Sequence, residues 1–178
     1  MRKEMIMNKH TPKRRQIIYC DTGIARKTWC GPYAIAVVAG TEYEEAYRVA
    51  RAVRGRRHAK GITNTNLSDS LKRMGVKGKW HPISSVGSGS KSKMKLANFL
   101  PILDHGKVFV IQITKHFIVV DTRDFTTLDN QNPDAWLPIE MSPHKNKLVH
   151  NYFVVENPKF DPKSDDAWLI EPLAASSS

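Results

Sequence analysis

Hydrophobic and polar positions follow two different periods along this chain. Up to about residue 103 the apolar residues recur mostly at helical spacing, and from Val108 onward they form short runs of strand length. Helices that precede a group of antiparallel strands are typical of an α+β domain. We therefore expect N-terminal helices packed on a C-terminal antiparallel sheet.

The first helix is predicted from an uninterrupted apolar segment, residues 33–39. Pro32 suits a first helical position because its φ is fixed and it lacks an N–H, and Gly40 can adopt the left-handed conformation that ends a helix. Cys30 should therefore lie at the start of a buried helix. Unpaired backbone N–H groups and the helix dipole at that end stabilise a thiolate relative to a thiol.

A second helix is predicted over residues 42–53, where apolar residues recur every three or four positions. Thr41 and Glu44 have the spacing of a capping box, in which the hydroxyl and the carboxylate each cover an exposed N–H group. The residues expected on the inward face are Tyr43, Ala46, Tyr47, Val49, Ala50 and Val53.

Two further helices and a short strand are predicted before the main sheet. Asn66 should cap a helix over residues 67–74, which a strand over residues 77–81 follows. A glycine- and serine-rich linker occupies residues 86–92, and a fourth helix should span residues 94–103.

The main strands of the predicted sheet cover residues 108–113, 116–121, 126–129 and 147–156. Tight polar turns join the first three, which predicts antiparallel neighbours. His116 begins the second of these strands and Asp129 ends the third. Because antiparallel pairing places the start of one strand beside the end of its partner, either Asp129 or Asn130 can reach the His116 imidazole.

Cys30, His116 and Asp129 form a candidate nucleophile, base and orienting group. A carboxylate or amide beside the imidazole would hold it in the tautomer that accepts the thiol proton. This arrangement serves acyl transfer, in which the thiolate attacks a carbonyl and the imidazolium protonates the leaving amine. The Cys30 N–H, at the helix start, is the obvious donor to the oxyanion, and the chemistry requires no cofactor.

The same residues also have structural interpretations. A free cysteine is more often a small buried apolar side chain than a nucleophile. Asp121 is the alternative orienting group, but its distance along the strand from the His116 ring predicts a role in the following turn. No zinc site is expected, because Cys-x-x-Cys and His-x-x-x-His spacings are absent and His144 and His150 lack partners of that kind.

The positive charge of the chain is unevenly distributed. Its 178 residues have a net charge of +11, and the first 60 residues contain 14 Lys and Arg against 5 Asp and Glu. This asymmetry favours an acidic protein or nucleic acid as a partner, although a solvated basic face is the alternative. The candidate substrate- or partner-binding residues are Trp29, Arg48, Arg51, Arg56 and Arg57.

Two cysteines, Cys20 and Cys30, are too few for a disulfide framework, which favours a reducing compartment. No apolar run approaches the length of a membrane span, and the N-terminus lacks the continuous apolar segment of a signal peptide. We therefore expect a cytoplasmic protein without membrane contact. Length predicts one domain over residues 16–156, between a flexible basic arm (1–15) and a loosely structured tail (157–178).

The chain resembles papain-like cysteine peptidases in three motifs, namely Trp29-Cys30-Gly31-Pro32-Tyr33-Ala34, His116-Phe117-Ile118-Val119-Val120 and Asp129 at the end of the next strand. The nearest type is small bacteriophage and bacterial proteins similar to the C39-like peptidases, and the resemblance covers about residues 16–133. It implies a papain-like fold in which Cys30 is the nucleophile and His116 the base. It also implies hydrolysis of a peptide or isopeptide bond in a protein or peptide substrate through a thioester, in the host cytoplasm if the protein is phage-encoded.

The sequence departs from this family at one position. Papain-like enzymes usually carry a Gln shortly before the nucleophile as an oxyanion donor, and here Ile24 stands there. Thr28, Lys27 or Asp21 would then have to supply the second donor. Two alternatives to a hydrolase stay open: an inactive papain-like scaffold that binds an acidic protein or nucleic acid, and a basic nucleic-acid-associated protein in which the Cys/His pair is incidental.

Overall fold

The structure, a computed structural model, describes the backbone of residues 29–86 and 94–159. Several expectations concern parts of the chain outside these ranges. They are the basic arm, Cys20, the alternative oxyanion residues up to Thr28, nearly all of the glycine-rich linker and most of the C-terminal tail.

Four helices and seven strands occur in the described residues. The helices are α1 (Cys30–Ala39), α2 (Tyr43–Arg54), α3 (Asn64–Arg73) and α4 (Leu96–Phe99). The strands are β1 (Gly78–Pro82), β2 (Met94–Lys95), β3 (Val108–Ile113), β4 (His116–Asp121), β5 (Thr126–Asp129), β6 (Asn132–Pro138) and β7 (Leu148–Val155). None of the described helices is long and apolar enough to cross a membrane.

The strands form one antiparallel sheet in the order β1-β7-β3-β4-β5-β6, and β2 also pairs with β7. The predicted α+β class is confirmed. Strands β3, β4 and β5 have the bounds expected from the sequence, and β1 and β7 differ from expectation by one residue at each end. The short turns between β3, β4 and β5 make these three strands consecutive neighbours.

Both faces of the sheet are covered. Helices α1, α2 and α3 share a core with one face, whose strand residues include Val108, Val110, Phe117, Val119 and Leu128. The segment that contains α4 covers the other face, whose strand residues include Phe109, Ile111, Ile118 and Val120. Helix α1 packs against β4 and β5, and residues 31–39 are all buried. This position explains why α1 is apolar on all sides.

The predicted N-terminal caps of α2 and α3 are wrong, because each helix begins at a different residue from the one expected. Helix α2 begins after Glu42, so the Thr41 hydroxyl donates to the carboxylate of Glu45 rather than pairing with Glu44. Helix α3 begins after Thr63, whose hydroxyl accepts a 3.2 Å hydrogen bond from the Asn66 N–H. Asn66 therefore occupies the third helical position of a capping box and does not cap the helix itself.

The predicted helix over residues 94–103 is also wrong in extent. Met94 and Lys95 pair with β7 as strand β2, and α4 has only four residues before the chain continues as a 3₁₀ turn, Leu100–Ile102. Pro101 lacks the N–H that a continuing α-helix would need. The apolar residues of this segment still cover the sheet, since Leu96, Phe99 and Leu100 are fully buried.

The start of the expected C-terminal tail is held against the domain. The Asn157 side-chain amide donates to the Gly75 carbonyl at 3.2 Å. The Lys159 N–H donates to the Val38 carbonyl at 3.3 Å, at the C-terminal part of α1.

Candidate active site

Cys30 is the first residue of α1 and is half-buried. The chain enters the helix through Trp29, which is extended and whose carbonyl accepts from the Tyr33 N–H at 3.0 Å. Gly31 follows the cysteine because of a close approach: a Cβ atom there would lie 2.4 Å from the Ile62 side chain. The sequence Cys-Gly-Pro therefore places the thiol at the positive end of the helix dipole, in a helix that packs closely against Ile62.

His116 is the first residue of β4, after a tight turn in which Lys115 has a φ of 60°. It pairs with Ile113 of β3. Asp129 is the last residue of β5, the next strand of the sheet. Its carboxylate Oδ2 lies 3.4 Å from Nε2 of His116. The predicted approach of these two residues across the β4–β5 turn is confirmed.

The two carboxylate oxygens of Asp129 have separate sets of partners. Oδ1 accepts hydrogen bonds from the backbone N–H groups of Gln131 and Asn132, at 2.7 and 2.9 Å. Oδ2 faces two imidazoles, with Nε2 of His116 at 3.4 Å and Nε2 of His144 at 2.5 Å. The loop after β5 thus fixes the carboxylate, and the buried charge is compensated from both sides.

His144 is the member of this group that the sequence analysis missed. It is 6% exposed, and its ring centroid lies 4.7 Å from that of His116. His144 has no partner at local metal-ligand spacing, as expected, but the sequence analysis did not foresee its contact with Asp129, which lies fifteen positions away in the chain. His150, in contrast, lies on β7 with Nε2 3.2 Å from the Thr114 hydroxyl.

A compact turn holds His144 in place. The Ser142 hydroxyl accepts from the His144 N–H at 3.2 Å, and the His144 carbonyl accepts from the Lys147 N–H at 2.8 Å. The carbonyls of Lys145 and Lys147 in turn accept from the first N–H groups of α4. These hydrogen bonds fix the conformation of an irregular segment. The backbone therefore holds His144 beside Asp129.

The electrostatics of the site favour a thiolate and an imidazolium. Burial of Cys30 opposes ionisation, but the His116 imidazole and the backbone N–H groups of Phe117 and Gly31 lower the pKa of the thiol below its ordinary value. Burial also opposes a charged His116, yet Asp129 and Cys30 raise its pKa to about 9. The two groups therefore stabilise each other's charged forms.

Asp129 stays ionised despite its burial. Desolvation raises the pKa of the carboxyl, but His116, His144 and the two backbone N–H donors outweigh it and hold the pKa well below the usual range. A carboxylate with this many donors is a stable negative charge. It can support the His116 imidazolium throughout a reaction cycle.

The alternative orienting group, Asp121, lies at the other end of β4. It is fully buried and accepts hydrogen bonds from the backbone N–H of Arg123 at 2.9 Å and from its guanidinium at 2.8 Å. This is the turn role that the sequence predicted for it. Asn130, the other candidate orienter, is half-buried and directly follows Asp129.

A groove, here called the α2 groove, lies beside the start of α1. Its lining consists of Trp29, Tyr43, Glu44, Tyr47, Arg51, Arg57 and His58. Three of the predicted substrate- or partner-binding residues, Trp29, Arg51 and Arg57, are therefore together. Arg48 and Arg56 are exposed and are not part of this lining.

Three side chains of the site also have the atoms to hold a metal ion. The ligand atoms of His116, Asp129 and His144 all lie within 4.8 Å of one another. Imidazole nitrogens with a carboxylate oxygen suit a divalent transition metal. Asp129 Oδ2 lies within 3.4 Å of both Nε2 atoms, although neither nitrogen makes a hydrogen bond of good geometry.

Comparison of the chain with protein-family models, with curated proteins and with solved structures gives no match.

Proposed function

We propose that this protein is a cysteine hydrolase with a papain-like fold, which cleaves a peptide or isopeptide bond. The proposal rests on the 3.4 Å approach of the Asp129 carboxylate to Nε2 of His116, and on the proximity of Cys30 to the same imidazole, which lowers the pKa of the thiol. The start of α1, the start of β4 and the end of β5 contribute these three residues. The pKa values of Cys30 and His116 are shifted in opposite directions, as a thiolate–imidazolium pair requires.

The reaction proceeds in two halves. The Cys30 thiolate attacks the substrate carbonyl carbon, and the resulting tetrahedral intermediate expels the amine as His116 transfers its proton to the amine nitrogen. This leaves a thioester on Cys30 and a neutral imidazole. Water then attacks the thioester with His116 as base, the C–S bond breaks, and the acid product leaves behind the thiolate and the imidazolium.

The helix start supplies part of the oxyanion stabilisation. As the first residue of α1, Cys30 has a backbone N–H that no intrahelical carbonyl accepts. Such an N–H can donate to the oxygen of the tetrahedral intermediate, and removal of one such donor typically costs about 100-fold in rate.

Cleavage of a peptide mixture tests this proposal. The protein is incubated with a pool of peptides from a digested proteome, and new termini are identified by mass spectrometry. We expect new termini with the wild-type protein and none with Cys30→Ala or His116→Ala. Asp121→Asn, a change in the turn at the far end of β4, is the matched control and should retain the cleavage pattern. New termini that persist in Cys30→Ala would contradict the proposal.

A further inference from the structure

We propose that the α2 groove binds a segment of the peptide substrate through an acidic side chain. The inference deepens the proposed function, because it assigns a substrate class to the same site. Its occupant is an extended peptide with Asp or Glu close to the bond that Cys30 attacks.

The groove reaches the residue that precedes Cys30. Trp29 lines the groove and directly precedes Cys30 in the chain. Its backbone N–H donates to the Tyr43 hydroxyl at 2.9 Å, which joins the start of α1 to the first turn of α2. Burial raises the pKa of Tyr43 to about 12, and the charge of Cys30 contributes to that rise. A peptide that extends from the groove past Trp29 would therefore approach the thiol.

The charged groups of the groove favour an anion. Arg51 and Arg57 are exposed, and neither forms an ion pair with a carboxylate in the described part of the chain. The Lys60 ammonium lies 5.3 Å from the Trp29 ring centroid and adds a third cation at the edge. Glu44 is the acidic residue of the lining, so the cations prevail.

The remaining lining favours a peptide over a polynucleotide. Tyr47 and Trp29 offer half-buried aromatic surface on which the apolar part of a peptide can pack. Glu44 would repel a backbone that carries a phosphate at each unit, whereas a single carboxylate can contact the arginines and avoid it. The neighbouring thiolate attacks carbonyl carbon, which peptides present at every residue.

Peptide binding to the Cys30→Ala variant tests the groove without chemistry at the thiol. The probes are fluorescein-labelled peptides in which Glu alternates with Gly, and the same peptides with Gln in place of Glu. We expect the Glu peptides to bind more tightly. Arg51→Glu combined with Arg57→Glu should weaken this binding about fivefold or more, or about 1 kcal/mol, because two attractive charges are lost and the reversal adds repulsion.

The matched control is Arg48→Glu combined with Arg56→Glu, which makes the same change of net charge outside the groove lining. It should weaken the affinity clearly less than the groove variant does, because neither side chain lines the groove. Equal losses in the two double variants would show that the peptides respond to net charge alone, and would overturn the proposal. Equal binding of the Glu and Gln peptides would also overturn it.

A second measurement places the peptide relative to the nucleophile. In the protein with Cys30 intact, the bound Glu peptide should slow alkylation of Cys30 by iodoacetamide severalfold. Binding without protection, or displacement of the peptide by a single-stranded oligonucleotide at lower concentration, would contradict a substrate groove. If Cys30 titrates as an ordinary thiol, that result contradicts the proposed hydrolase but not the peptide groove. Protection of Cys30 from alkylation by the bound peptide can still be measured at high pH.

Discussion

Asp129 contacts His144 more closely than it contacts His116, with Oδ2–Nε2 distances of 2.5 and 3.4 Å. His144 is buried and its backbone is fixed by the turn around Ser142. The structure therefore adds a fourth residue, acting through the carboxylate, to the three that the sequence predicts. We infer that His144 is a positioning residue, since it contacts the same carboxylate oxygen that faces His116.

Replacement of His144 should alter the titration of Cys30. In His144→Phe the carboxylate loses a donor whose interaction with a charged group is worth about 1.5–3 kcal/mol, so its pKa rises and its support of the imidazolium weakens. We expect the pH at which Cys30 becomes reactive to iodoacetamide to move upward by about one unit. The readout is the alkylation rate as a function of pH.

Two further variants separate positioning from simple loss of packing. His144→Gln retains a donor for Oδ2 of Asp129, so Cys30 should become reactive at the same low pH as in the wild type. His150→Phe changes a histidine that lies beside Thr114 instead of Asp129, and it should leave the alkylation of Cys30 unchanged. If His144→Phe and the wild type share one titration curve, His144 does not act through Asp129.

Gly31 is required by the close packing of the helix start. A Cβ at this position would lie 2.4 Å from two atoms of the Ile62 side chain, so Gly31→Ala should destabilise the protein by about 1–3 kcal/mol. Chemical denaturation measures the free energy of unfolding. The cost should shrink in an Ile62→Ala background, where the obstructing atoms are absent. Additive effects of the two substitutions would show that Ile62 is not the cause.

The stability contributed by Asp129 should depend on pH with a definite sign. Its folded-state pKa is depressed, so the contribution is present above the unfolded value of about 3.9 and is lost as the pH falls through the folded value. Asp129→Asn should therefore destabilise the protein by about 2 kcal/mol at neutral pH and by less at pH 3. The measurement is the free energy of unfolding of both proteins at each pH. An equal difference at the two pH values would contradict this assignment.

The sequence predicts the elements whose pattern is local, and it misses what depends on tertiary contacts. The bounds of β4 and β5 follow from short apolar runs between polar turns, and these bounds suffice to bring Asp129 to His116. The end of α1 follows from Gly40, whereas the helix begins at Cys30, two residues before Pro32. These three elements contain the candidate catalytic residues Cys30, His116 and Asp129.

The errors have a common physical origin. Residues 94–103 have helical spacing, but pairing with β7 and the missing N–H of Pro101 shorten the helix. His144 lies in a turn without periodicity, and its contact with Asp129 is made by the fold alone. The α2 groove could be predicted only in part, because which arginines line it depends on how α2 packs beside Trp29.

The most direct test of the account is the pH dependence of Cys30 alkylation by iodoacetamide, followed by peptide mass spectrometry in the wild type and in His116→Ala. We expect fast labelling well below the ordinary thiol pKa of about 8.5, and a second change near the His116 pKa of about 9 as the imidazolium loses its proton. In His116→Ala the fast labelling below the ordinary thiol pKa should disappear. If the wild type and His116→Ala are both labelled with the pH profile of an ordinary thiol, the thiolate–imidazolium pair does not exist.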